Sequence, residues 1–308
     1  MINLSVGNPS FLAPYWNTVK LEPFSQTNSY QRECGNAELK ASIYEYHRLI
    51  DNVPNLRSYE LVVGHGATQV MQAALASSPL RNGGVVYAHA PHYPKFEFFA
   101  KQAALPFTDT PHLTLGRPVT EIVTYPTNPD NRTDIPTLVD SYKIYDCSYL
   151  WPQYTNAAIS GHESILVFSL AKATGHASAR IGWALVKSAS TASLMRDFIE
   201  HQSGDVSLPS QEVASQVLDH ENELLRQKKG GVAHYGASVL DARWKTIREL
   251  TKPFNTSGMF LWMDGMLPPE IKGMNGIYFG VDRRFNRYNL GCSEDEFNAM
   301  IDIIKNSR

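Results

Sequence analysis

The sequence predicts an α/β protein built on a mainly parallel sheet, with a smaller lobe after it. Two observations carry this. Short apolar runs at residues 61–63, 85–90, 121–125, 143–146, 165–168 and 181–186 alternate with helical or loop segments, as in sheets whose parallel strands are joined by crossovers. From Leu208 the period changes: Val213, Ala214, Val217, Leu218, Leu224 and Leu225 form an apolar stripe at helical spacing, which marks a long helix leaving the sheet.

In order, residues 1–35 are loop-rich, and Val6-Gly7-Asn8-Pro9 reads as a turn in which Gly7 allows close backbone approach. Asn36 is the expected N-cap of a helix carrying Leu39, Ile43, Tyr46 and Ile50. The 61–63 strand runs through Gly64-His65-Gly66-Ala67-Thr68-Gln69 into a helix at 70–76. A strand, a glycine turn and a helix N-terminus make an anion site, with Gly66, Ala67 and Thr68 presenting N–H donors; an ordinary βα turn is the alternative. The terminal lysine of a Walker loop is absent. In the second lobe, 239–250 reads as a helix with Trp244 and Ile247, and 259–263 and 276–281 read as strands. Ser293-Glu294-Asp295-Glu296 is a capping box for a last helix that buries Phe297, Met300, Ile301 and Ile304. Arg283, Arg284 and Arg287 lie between strand and cap. Arginines there are usually solvated, but one aimed into a cleft would clamp a carboxylate with its planar fork.

Ligands of parallel sheets bind beyond the carboxyl ends of the strands. Thr68, Tyr93, Asn128, Asp146, Tyr149 and Lys172 all fall at or just after such ends. Lys172 lies between two apolar strands, where an ammonium costs several kcal/mol unless paired or neutralised. Its pKa falls readily on burial, which suits a Schiff-base lysine. Ser169 and Arg180 flank it with donors suited to a phosphate. Lysine plus phosphate donors suggests pyridoxal 5′-phosphate; the alternative is a solvated loop lysine at a strand end.

The chain has 308 residues, 43% hydrophobic and 19% charged, enough for a large core and for two lobes rather than one. A formal net charge of −2 offers no electrostatic footprint for nucleic acid or an anionic membrane. No apolar run is long enough to span a bilayer, and Met1-Ile2-Asn3-Leu4-Ser5 has no signal-peptide character. Cys34, Cys147 and Cys292 are odd in number, widely spaced and unlike a zinc pattern. No metal is expected, and a reducing, cytoplasmic setting is.

Taken together, Val63-Gly64-His65-Gly66-Ala67-Thr68-Gln69, Tyr125-Pro126-Thr127-Asn128-Pro129-Asp130, Asp146-Cys147-Ser148-Tyr149-Leu150-Trp151-Pro152 and the stretch from Phe168 to Trp183 resemble the fold-type I PLP-dependent aminotransferases. More narrowly, they resemble the alliinase and tryptophan aminotransferase-related group. The resemblance implies a large PLP-binding domain at 23–221 and a smaller α+β domain from 1–22 and 222–308. It implies that Lys172 is the Schiff-base lysine and proton carrier, that Asp146 pairs with the pyridine nitrogen, and that Tyr149 and Asn128 face the phenolate oxygen. Tyr93 would stack on the ring. Gly66, Ala67, Thr68, Ser169 and Arg180 would hold the phosphate, with Tyr30 reaching it from a neighbouring subunit of a homodimer. Arg287 would clamp the substrate carboxylate beside Gly7 and Asn128. The implied activity is transfer of the amino group of an L-amino acid to a 2-oxo acid. Tyr15, Trp16, Tyr93 and Trp151 hint at an aromatic or bulky donor, with ordinary packing as the alternative. The alternatives are β-elimination by a C–S lyase and a non-catalytic binding protein on the same fold. The group's cysteine-rich N-terminal module is not in the sequence, which adds to the expectation of an intracellular enzyme.

Overall fold

A computed structural model of the chain describes residues 1–5, 9–20, 34–79 and 83–307. The expectations for Gly7 and Tyr30 lie outside them. The chain opens with β1 (Ile2–Asn3) and a short α1 (Ala13–Trp16), then α2 (Ala37–Ile50), β2 (Glu60–His65), α3 (Gly66–Ala76), β3 (Val85–Tyr87), α4 (Phe96–Gln102) and β4 (Phe107–Thr108). It continues through β5 (Val119–Thr124), β6 (Tyr142–Asp146), β7 (Ile165–Ser169), α5 (Leu170–Ala173), β8 (Ile181–Val186), α6 (Ala189–Ser203), α7 (Leu208–Arg226) and α8 (Gly231–Leu250). It closes with β9 (Phe260–Asp264), β10 (Ile271–Lys272), β11 (Met274–Asn275), β12 (Phe285–Asn289) and α9 (Glu294–Asn306).

The large sheet has the order β2-β8-β7-β6-β5-β3-β4. Its strands run parallel except β8, which is antiparallel to both β7 and β2. Every position of β5, β7 and β8 is buried, because helices cover both faces. Alternate side chains therefore enter two different cores. Val63, Phe168 and Trp183 go to one, with Tyr46 and Trp151. Their neighbours Val62, Val167 and Ala184 go to the other, with Met195 and Ile199. Helix α2 begins where Asn36 accepts from the Leu39 N–H, and α9 begins in the expected capping box at Ser293 and Glu296.

The smaller sheet is antiparallel, in the order β11-β12-β9, and β1 pairs with β10 in parallel. Residues 276–281 do not form the expected strand: Gly276–Phe279 is a 3-10 turn closed by Gly280 at φ +77°. A Cβ on Gly276 would come within 2.3 Å of the Asp282 carbonyl oxygen, so the backbone folds on itself instead of extending. The strand in this region is β12, which carries Arg287; that arginine does not sit in a loop. The helix α7 also differs from its apolar stripe, since Gln211, Glu221 and Asn222 lie on its buried face. Each finds a partner there. Gln211 accepts from the Asn36 N–H, Glu221 from the Val232 N–H, and Asn222 donates to the Ser42 carbonyl. These polar links fasten α7 to α2 and α8.

His47 is enclosed by Trp151, Phe168 and Trp183. The Trp183 indole donates to its Nε2 at 2.9 Å, and an indole only donates. The proton is therefore on Nδ1, directed at Asn52 Oδ1 at 2.8 Å. Asn52 is held in turn by donating to the Leu150 carbonyl. Burial pushes the imidazole pKa down from 6.5 to about 4, with the Asn52 contact opposing. Between these values the unfolded chain binds a proton that the folded chain refuses, so stability falls as pH drops through that window and is complete above it. Urea unfolding at pH 7 and pH 5 is expected to show His47 contributing about 2 kcal/mol to the difference, a contribution that His47→Gln removes.

Candidate active site

The topology alone assembles the site. The paired registers Thr124 with Asp146 and Asp146 with Val167 place the carboxyl ends of β5, β6 and β7 side by side. Because β8 runs the other way, its amino end stands at that same edge, with Ser169 opposite Gly182 and Arg180 just outside. The strand β2 also ends there, with His65 opposite Ile181. Helix α3 starts at once, and its first turn has no side-chain cap. The uncapped N–H groups of that turn, together with the positive end of the helix dipole, suit an anion.

Two glycines allow this junction. Gly66 has φ +73°, and a Cβ on it would stand 2.7 Å from Arg180 Nη2. A Cβ on Gly182 would stand 2.2 Å from the Ala67 nitrogen. With hydrogens in both places, β8 lies against the start of α3 and the Arg180 guanidinium lies over the turn. Arg180 Nη1 also donates to the Ala177 carbonyl at 3.2 Å.

A cavity of about 320 Å³ opens at this edge. Of the predicted residues, Gly66, Ala67, Thr68, Ser169 and Arg180 line it, and so do Tyr93, Asn128, Asp146, Tyr149, Lys172 and Arg287. The buried Asp146 carboxylate accepts from the Ser148 N–H at 3.1 Å and its hydroxyl at 2.6 Å, both on Oδ1. Burial pushes its pKa up, while Ser148 and the Lys172 charge oppose. Burial also pushes Lys172 down to about 8, helped by Arg287 and Arg180 and opposed by Asp146. Its Nζ stands 5.8 Å from the centre of the Tyr149 ring, which packs edge-on against Phe260 and Tyr154.

Arg287 reaches the cavity from β12. Its Nη1 donates to Asn128 Oδ1 at 2.8 Å and its Nη2 to the Ser5 carbonyl at 2.9 Å. Phe260 and Phe279 flank the guanidinium, with ring centres 4.1 and 5.0 Å away. Burial lowers its pKa to about 10, so it is cationic at neutral pH. Its Nε is buried without an acceptor in the protein, a cost borne in the folded state.

Of the four aromatic residues expected to shape a donor pocket, Tyr93 lines the cavity. Trp151 is instead in the core, donating to the Ser148 carbonyl. Tyr15 and Trp16 pack outside it, on Glu221 and the Thr174 carbonyl. Sequence reasoning missed Met71, Phe96, Phe99 and Ser148, which line the cavity. Phe96 and Phe99 share one face of α4 at a spacing visible in the sequence, and Ser148 lies between two residues already singled out. Among the described residues no cluster of His, Cys, Asp or Glu is placed to hold a metal ion, and no helix is long and apolar enough to cross a membrane.

The family model described as Allinase matches residues 2–261. Tryptophan aminotransferase-related protein 2 of Arabidopsis thaliana is 32% identical over 279 residues, covering 82% of this chain and 62% of that protein. Alliin lyase of Allium cepa var. aggregatum is 26% identical over 279 residues, covering 80% and 61%. This chain thus spans less than two thirds of the length of either relative. Among solved structures, a double mutant of Thermus thermophilus aspartate aminotransferase superposes with a TM-score of 0.78 at 15% identity, over 100% of this chain and 92% of that one. The fold is that of the fold-type I aminotransferases.

The cofactor of the allinase family and of that fold type is pyridoxal 5′-phosphate. The cavity fits it. The uncapped α3 turn and Arg180 suit the phosphate, the buried Asp146 suits a ring cation, and the Lys172 amine is partly neutral near physiological pH. In the cofactor-free protein, acylation of Lys172 by an amine-reactive reagent, followed by peptide mass spectrometry, should rise with a midpoint near pH 8. Replacing Arg287 with Gln should move that midpoint up, because it removes a neighbouring positive charge.

Proposed function

Because this chain belongs to the allinase family, we propose that it is a pyridoxal phosphate-dependent aminotransferase, moving the amino group of an L-amino acid to a 2-oxo acid. The observation that carries this is the meeting of Lys172, Asp146 and Arg287 in one cavity beside an uncapped helix start.

When bound, the cofactor supplies an electron-accepting ring that stabilises negative charge developing at the substrate Cα. Ala67 and Thr68, at the α3 start, bind the phosphate with Ser169 and Arg180. Asp146 would keep a proton on the ring nitrogen, since a cation there offsets the burial cost that raises its pKa. Tyr149 and Asn128 would donate to the ring oxygen, and Tyr93 would pack against the ring. Lys172 Nζ would hold the cofactor and, when free of it, would move the proton of the substrate Cα. A lysine with a pKa near 8 is suited to both directions. The Arg287 fork binds the α-carboxylate, its plane set by Asn128 and the Ser5 carbonyl, while Phe260 and Phe279 exclude water from its faces.

The likeness to alliin lyase supports a second reading, β-elimination from an S-substituted cysteine. The same Nζ would remove the same proton, and the leaving group would depart from Cβ. We further propose a homodimer that shares its sites, on the resemblance at Tyr30, and a reducing, cytoplasmic setting, which the three buried, unbridged cysteines support.

Purified protein supplied with pyridoxal phosphate should show an absorbance band at the near-visible edge that Lys172→Ala abolishes. An amino donor should bleach the band with release of one equivalent of its 2-oxo acid, and more than one equivalent should form only when an acceptor is present. Pyruvate and ammonia released without an acceptor would select the lyase, and protein that never takes up the cofactor would end both readings. Asp146→Asn should lower kcat by about 100-fold, since a neutral partner no longer keeps the ring nitrogen protonated.

A further inference from the structure

Lys172 lies on α5, a single turn of four residues. So short a helix leaves its carbonyl groups to find partners elsewhere. The Leu170 carbonyl is taken by the Thr174 N–H and hydroxyl. The Lys172 carbonyl accepts from Gln153 Nε2 at 3.1 Å and from the Tyr154 hydroxyl at 3.0 Å, and Gln153 also donates to the Ala173 carbonyl at 2.8 Å. The next carbonyl, Thr174, accepts from the Trp16 indole N–H at 2.7 Å, across 158 residues of sequence.

The segment that delivers Trp16 is itself fastened. The Tyr15 hydroxyl donates to Glu221 at 2.6 Å, and the other Glu221 oxygen accepts from the Val232 N–H at 2.7 Å. The Trp16 ring meets His176 edge-on at 4.6 Å, and His176 Nδ1 pairs with the Thr174 hydroxyl at 3.0 Å. Gly175, at φ +90°, lets this segment close in: a Cβ there would stand 3.3 Å from Leu12 Cβ. Trp16, Tyr15 and His176 do not line the cavity, so any effect they have on chemistry passes through the lysine turn.

We propose that Trp16 is a positioning residue for Lys172. Its N–H on the Thr174 carbonyl fixes the end of the α5 turn, and with it the place of the Lys172 amine among Asp146, Tyr149, Arg180 and Arg287. The inference rests on the reading that Lys172 carries the cofactor. A small displacement of a buried amine among fixed charges changes its protonation equilibrium, so the pH midpoint of Lys172 reports its position. The same N-terminal segment supplies the Ser5 carbonyl to Arg287, so it touches the turn of the lysine and the carboxylate clamp alike.

The test is Trp16→Phe, which keeps a ring and deletes the N–H. Trp16 is half-buried, so the variant is expected to fold. In the cofactor-free protein the acylation midpoint of Lys172 should move by about half a pH unit or more. In the loaded protein the pH midpoint of the near-visible band should move as well. With the donor amino acid, kcat should fall about tenfold with KM within about twofold of the parent. Trp16→His, which retains a ring N–H, should recover part of each change, and Tyr15→Phe, which loosens the anchor on Glu221, should shift them in the same sense. A lowered Tm with unmoved midpoints and unchanged kcat, in Trp16→Phe or in Tyr15→Phe if the former does not fold, overturns the proposal, because the bond would then serve stability alone. If Lys172→Ala retains the band, the cofactor reading fails, while the acylation midpoint still judges Trp16.

Discussion

Everything at this site depends on keeping one amine out of water without leaving it a stranded charge. Lys172 is buried, so its ammonium form is costly, and the nearest formal charges divide against each other: Arg287 and Arg180 disfavour it, Asp146 favours it. The outcome is a lysine poised near neutrality rather than fixed in either form. Poising of this kind requires every neighbour to hold its place, because a charge moved by an ångström in a medium of low dielectric changes the balance considerably. The remaining structure can be understood as what holds those neighbours still.

The sheet does most of that holding. Asp146 ends a buried strand, and Lys172 follows the adjacent strand by a few residues. Arg180 arrives from the start of the strand that runs the other way. The places of Asp146 and Arg180 are therefore fixed by backbone ladders, and that of Lys172 by its ladder together with the contacts on the α5 turn. The exception is Arg287, which comes from the smaller sheet and must be aimed by Asn128, the Ser5 carbonyl and two aromatic faces. Carboxylate recognition thus depends on how the two sheets meet, while the acid facing the lysine does not.

The parts legible in the sequence were those governed by local pattern. Apolar alternation located the large-sheet strands, the Asn36 and Ser293 caps located helix starts, and position after a strand end located Asp146, Asn128 and Lys172. Legibility failed where distant packing decides. The polar face of α7 is buried because Gln211 and Asn222 find partners more than a hundred residues away. Residues 276–281 look strand-like, but a glycine at each end of the Gly276–Gly280 stretch folds them into a turn. Arg287 sat in what read as a loop because Asn286 and Asn289 break the apolar alternation of β12. Trp16 and Trp151 read as candidate pocket aromatics, yet both donate to backbone carbonyls and neither lines the cavity, which no spacing rule reveals.

The guanidinium of Arg287 touches residue 5, residue 128 and a ring at 260, so the carboxylate clamp draws on both ends of the chain. The two ends of the cavity thus differ in what they join: the phosphate end is built on one sheet, while a bound carboxylate would bridge the residues that aim Arg287 from elsewhere. A ligand that fills the carboxylate end would therefore stabilise the union of the two sheets, by an amount set by its concentration relative to its Kd.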